Sequence, residues 1–92
     1  MINVSVTEVK SMIHVSVYGH SGVKGESLTC AGASTLFAAL AVSVEAKGEY
    51  ICESGYGYMV FPASDINKAY TQMFLNGMKV LKKQFPEEFN IQ

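Results

Sequence analysis

The chain contains no arginine. All seven of its basic residues are lysines, against eight acidic residues for a net charge of −1, and the largest cationic cluster is the Lys82-Lys83 pair. Without a guanidinium there is no bidentate fork for phosphate or guanine. Without a basic patch the electrostatic footprint of a nucleic-acid binder is missing as well. Charge is scarce altogether, at 16% of residues, while 49% are hydrophobic. So apolar a balance in 92 residues points to apolar surface covered by a partner, most simply a second copy in a homodimer.

Cysteine is equally sparse. Cys30 and Cys52 are the two thiols, and in a reducing compartment they are not expected to pair. His14 and His20 could join them as zinc ligands, but none of the four shows the close paired spacing of a structural zinc site, so no metal or other cofactor is expected. The N-terminus, MINVSVTEVK, alternates instead of offering a basic region followed by an apolar run. It does not read as a secretory signal, and a cytoplasmic chain is expected. The stretch from Leu28 to Ala46 has Glu45 as its one charge, yet Thr29, Gly32, Ser34, Thr35 and Ser43 dilute it. A buried core helix is expected there, not a membrane span.

Residues 1–92 are expected to form one domain. Ile2, Val4 and Val6 alternate with polar residues, and after Lys10-Ser11 the period resumes with Ile13, Val15 and Val17, which predicts an antiparallel hairpin. His14, Ser16 and Tyr18 fall on its other face. A helix follows, starting near Ser27 or Thr29 and running to Lys47-Gly48, with Leu28, Ala31, Leu36, Phe37, Leu40 and Val44 as apolar positions. Tyr50–Glu53 and Tyr58–Phe61 read as a second strand pair about Ser54-Gly55, with a bulge at Gly57. Asp65 is expected to cap a second helix carrying Ile66, Tyr70, Met73, Phe74, Met78, Leu81 and Phe85, closed by Pro86, with a short edge strand in the tail from Glu87. The expected fold is α+β, a two-layer sandwich of a mostly antiparallel sheet and two helices in ββαββα order.

The chemistry gathers in YGHSGVKGESLTCAGAS, Tyr18 to Ser34. Gly19, Gly22 and Gly25 repeat at a spacing that matches neither the dinucleotide nor the Walker fingerprint, so they read as a flexible connection or as a weak anion cradle. Cys30 is placed in the first helical turn, where unpaired N–H groups favour a thiolate; a small core residue is the other reading. His20 lies ten residues upstream, across small residues, so it can be a base for the sulfur or an exposed loop histidine. Ser34, one turn beyond Cys30, can donate to the sulfur, orient His20 or hold an oxyanion, or can bond its own helix backbone. Ala31, Gly32 and Ala33 allow either a substrate backbone or another helix to come close.

The motifs Gly-His-Ser-Gly at 19–22, Gly25 and Cys-Ala-Gly-Ala-Ser at 30–34 resemble those of the ribosomal-processing cysteine protease family, Prp. The likeness extends over nearly the whole chain. It implies Cys30 as nucleophile, His20 as its base and Ser34 as a supporting residue, with Gly19, Gly22, Gly25, Ser27 and Ala31 around the substrate. It also implies a homodimer that removes a short N-terminal extension from a large-subunit ribosomal protein, or, in phage-encoded relatives, processes a capsid or scaffold protein. The family pattern has two more residues between histidine and cysteine. It also has an aspartate three positions before the cysteine, where this chain has Ser27 beside Glu26. The rival class is a non-catalytic dimeric peptide-binding module of the same fold; a redox-sensing Cys30 is a third reading.

Overall fold

The structure is a computed structural model and describes residues 1–19, 28–46 and 55–92. The alternating N-terminal runs form β1 (Ile2–Val9) and β2 (Met12–Gly19), paired antiparallel with Val9 opposite Met12. A two-residue loop joins them, and both of its residues lie in the left-handed region, Lys10 at φ 53° and Ser11 at φ 63°. Two successive left-handed residues give the turn whose twist matches that of the flanking strands. Ile2, Val4, Ile13, Val15 and Val17 are buried on one face. On the other face, His14 Nδ1 and the Tyr58 hydroxyl lie 2.6 Å apart.

Both helices cover the buried face. α1 (Leu28–Ser43) buries Cys30, Ala33, Phe37, Leu40 and Ala41, and Val44 just past its end. It ends short of the expected Lys47-Gly48. Glu45 takes the left-handed position at φ 56°, its N–H donating to Val42 O at 3.3 Å, and Ala46 N donates to Ala41 O at 2.9 Å. These two bonds close the helix as a Schellman motif, with glutamate where glycine is the usual choice. α2 (Asp65–Gln84) is capped by Ser64, not by the expected Asp65: the Ser64 hydroxyl accepts from Asn67 N at 3.3 Å. Asp65 instead becomes the acidic residue of the first turn, where the helix dipole favours it. Phe74 and Met78 are buried as the period requires, whereas Ile66 and Met73 point outward at 60% and 65% exposure.

β3 (Tyr56–Pro62) pairs antiparallel with β2 in an unbroken register from Tyr18↔Tyr56 to Met12↔Pro62. Gly57 sits in that register opposite Val17, so the expected bulge is absent. The predicted strand Tyr50–Glu53 lies outside the described residues. β4 (Phe89–Ile91) is the tail strand; it runs parallel to β1, anchored by buried Phe89. The result is an α+β two-layer fold whose sheet order is β3-β2-β1-β4, antiparallel except at β4. Along the described chain the order is ββαβαβ, not ββαββα, because the tail strand is formed and the 50–53 strand is not among the described residues. Among the described residues no helix is long and apolar enough to cross a membrane.

Candidate active site

The candidate site lies where β2 ends and α1 begins. Gly19, the last residue of β2, has φ +107°, and a Cβ added to it would lie 2.0 Å from the carbonyl oxygen of Met1. Its N–H donates to Gly55 O at 2.8 Å. Gly19 is therefore a fixed structural joint. The backbone geometry and the close approach of Met1 both require glycine there. His20, Gly22, Gly25 and Ser27 lie outside the described residues.

Cys30 occupies the first turn of α1, as the sequence predicts. Neither an aspartate nor a glutamate stands in that turn, so no carboxylate within the first turn offsets the positive end of the helix dipole. Cys30 carries a thiol, not a disulfide sulfur, and is only 4% exposed, continuous with the core of Phe37 and Val17. Thr29 beside it is buried at 2%. Ser34 stands one turn further along, and its hydroxyl donates to the main-chain carbonyl of Cys30 at 2.8 Å. That is the local backbone bond typical of a helical serine. A hydroxyl has one proton, so donation from Ser34 to a sulfur or an oxyanion requires it to turn away from this carbonyl.

The small residues after Cys30 have different roles. Ala31 is exposed and remains available to a substrate. Ala33 is buried in the core. Gly32 faces α2, where an added Cβ would stand 3.1 Å from a methyl of Leu81; in turn, a Cβ on Gly77 of α2 would come within 2.7 Å of Leu36. The two helices thus cross with a glycine of each set against a leucine of the other. The sequence reading missed Gly77 and placed Leu81 only in the apolar stripe of α2; the two fix the seat of α1 and hence of Cys30. The usable signal was a glycine in the middle of a strongly periodic helix, which needs a packing reason.

A model of the cysteine protease Prp family matches residues 1–90, and the chain belongs to that family. Among solved structures, it is similar to the essential ribosomal processing protease Prp from S. aureus in complex with a covalently linked product peptide. That match has 19% identity and a TM-score of 0.78, and it covers 100% of this chain and 98% of the other. It is also similar to the S. aureus protease in complex with a substrate peptide, with 19% identity, a TM-score of 0.74 and the same coverage. At this identity the likeness establishes the shared fold. A comparison with curated protein sequences found no match.

Proposed function

We propose that the protein is a cysteine endopeptidase that removes a short N-terminal extension from a ribosomal or phage structural protein, with Cys30 as nucleophile and His20 as its base. The carrying observation is the position of Cys30 in the first turn of α1, within a chain of the Prp family. The relatives of known structure were captured with peptides, which supports a peptide as the ligand here. In this mechanism the Cys30 sulfur attacks the scissile carbonyl carbon while His20 takes the thiol proton. The C–N bond then breaks as His20 returns that proton to the leaving amine, and water hydrolyses the thioester, restoring the thiol and releasing a carboxylate. Main-chain N–H groups of the first turn, or the Ser34 hydroxyl once it turns from the Cys30 carbonyl, hold the oxyanion. A reducing cytoplasm keeps the nucleophile a thiol.

The working unit is proposed to be a homodimer. α1 carries apolar residues on all sides, yet beyond Ala31 the residues Ala38, Ala39 and Val42 are exposed along one flank, Val42 at 80%. A helix apolar all round is ordinarily buried all round.

Incubation with precursors of both substrate classes, followed by mass spectrometry, tests the reading, with Cys30→Ala as the control for contaminating protease. A cut that depends on Cys30 is expected; loss of neither extension, under conditions where the native protein is folded, overturns it. One observation favours the rival, a peptide-binding module without turnover: Cys30 is nearly fully buried. Labelling by a peptide electrophile separates the two, since a module without a working nucleophile leaves Cys30 unmodified.

A further inference from the structure

The chain has four asparagines, and Asn76 is the one followed by glycine; Asn3, Asn67 and Asn90 precede Val4, Lys68 and Ile91. The neighbour matters to the side chain. A carboxamide is open to attack by the main-chain nitrogen of the next residue, and glycine, without a Cβ, leaves that nitrogen unshielded and its backbone free to swing into place. Gly77 is not set there by local preference. Glycine is among the poorest formers of a helix interior, yet it stands inside α2 because a Cβ at 77 would come within 2.7 Å of a Leu36 methyl. The helix crossing therefore writes a labile Asn-Gly pair into the element that seats α1.

The folded helix holds the pair unreactive. Both Met73 and Gly77 belong to α2, whose ladder commits the Gly77 N–H to the Met73 carbonyl. Closing a five-membered ring on that nitrogen requires this bond to break and ψ of Asn76 to leave its helical value of about −42°. The carboxamide itself is not hidden: Asn76 is exposed, and its Oδ1 accepts from Gln72 Nε2 at 3.0 Å on the helix surface. Backbone geometry, not burial, is the guard.

We propose that Asn76-Gly77 is a modification site, a one-way latch that fires when α2 opens. The Gly77 nitrogen bonds to Asn76 Cγ, the Cγ–Nδ2 bond breaks, and ammonia leaves with the proton of the main-chain amide, giving a succinimide. Water then opens the ring. Cleavage on the Cγ side gives aspartate on an ordinary main chain, whereas cleavage at the α-carbonyl gives isoaspartate, whose main chain runs through Cβ and Cγ and is one methylene longer. Aspartate leaves the helix intact. Isoaspartate displaces every main-chain group beyond it, so Met78, buried in the core, and Leu81, packed on Gly32, lose their places. Gly32 lies two residues after Cys30, and the seat of Cys30 is lost with it.

The full chain, aged at mildly alkaline pH in buffer and in parallel in guanidinium chloride, tests the site. Conversion at Asn76 is read by peptide mass mapping, as an amide nitrogen exchanged for oxygen, and isoaspartate by enzymatic carboxyl methylation. Conversion of the unfolded chain is expected to outpace that of the native protein by at least about tenfold, since in the folded state the reaction waits on local opening. Equal rates overturn the guarding role of α2, and no conversion in denaturant overturns the site.

A second arm asks whether the change is one-way. After removal of denaturant, isoaspartate chains separated by reversed-phase chromatography should show a reduced helical signal and a lower thermal midpoint. Asn76→Asp, which reproduces the other product without lengthening the chain, should refold to native helicity. Asn76→Gln, whose longer side chain does not close the five-membered ring, should pass through the same ageing unmodified, a readout taken in denaturant where folding is not required. Isoaspartate chains that regain the native signal and midpoint overturn the latch. An Asn76→Asp chain that loses its structure equally assigns the damage to charge and overturns the role given to the longer main chain. Neither arm depends on cleavage of a substrate.

Discussion

The Ser34 hydroxyl donates to the carbonyl of Cys30, the residue one helical turn before it, at 2.8 Å. The serine thus shares a helix face with the proposed nucleophile while its proton is directed at the backbone. If Ser34 only satisfies its helix, Ser34→Ala leaves turnover unchanged and stability within about 0.5 kcal/mol of the native protein. The endopeptidase reading expects the same small stability change with kcat lowered by roughly tenfold or more. Thermal unfolding and steady-state cleavage, run on one preparation, separate the outcomes.

His20→Ala tests the proposed base without requiring the natural substrate. Labelling of Cys30 by a peptide chloromethyl ketone is expected to slow by roughly a hundredfold, in the range by which positioned bases act. Equal labelling rates in native protein and variant would remove His20 from the mechanism.

Gly19→Ala places a Cβ 2.0 Å from the Met1 carbonyl at a φ of +107°. A destabilisation of at least about 2 kcal/mol is expected from the strained backbone and the clash together. Denaturant unfolding measures it. A loss below half a kilocalorie would mean that the β2 end is not a fixed joint.

Two local repairs should act in the opposite direction. Glu45→Gly puts the preferred residue at the left-handed cap of α1 and removes a carboxylate from the negative end of the helix, for a gain of about 1 kcal/mol. Replacing Lys10-Ser11 by Asn-Gly, which suits two left-handed residues in succession, should add a similar amount, about 0.5–1 kcal/mol. Midpoints in urea should rise for both; a fall at either position would contradict its left-handed geometry.

Sedimentation at micromolar concentration should report twice the 10.0 kDa chain mass. Val42→Lys, at a side chain 80% exposed in the single chain, should shift the equilibrium to monomer while leaving the helical signal in place. Native protein that sediments as a monomer would refute the dimer, and a Val42→Lys variant that stays dimeric would move the interface away from this flank of α1.

What the sequence determined by itself was whatever depends on neighbours along the chain. The alternation of Ile2, Val4 and Val6 set the hairpin face, the Lys10-Ser11 break set its turn, and the motif from Gly19 to Ser34 carried the family and put Cys30 in the first turn of α1. Tertiary structure decided what depends on groups distant in sequence. Ile66 and Met73 fit the helical period as well as Phe74 does, yet they face outward, because apolarity records a preference for burial and not which stripe the sheet can reach. Gly19 reads locally as part of a flexible connection but is held to glycine by the carbonyl of Met1, and Gly32 leaves room for a substrate backbone or another helix, of which the helix takes it, through Leu81, 49 residues away. The tail strand joins β1 in parallel because α2 carries the chain back along the sheet before Phe89 is buried, a route that no local pattern in the last residues encodes. Contacts of this kind arise only once the elements pack, when shape and available space choose among positions that local chemistry leaves equivalent.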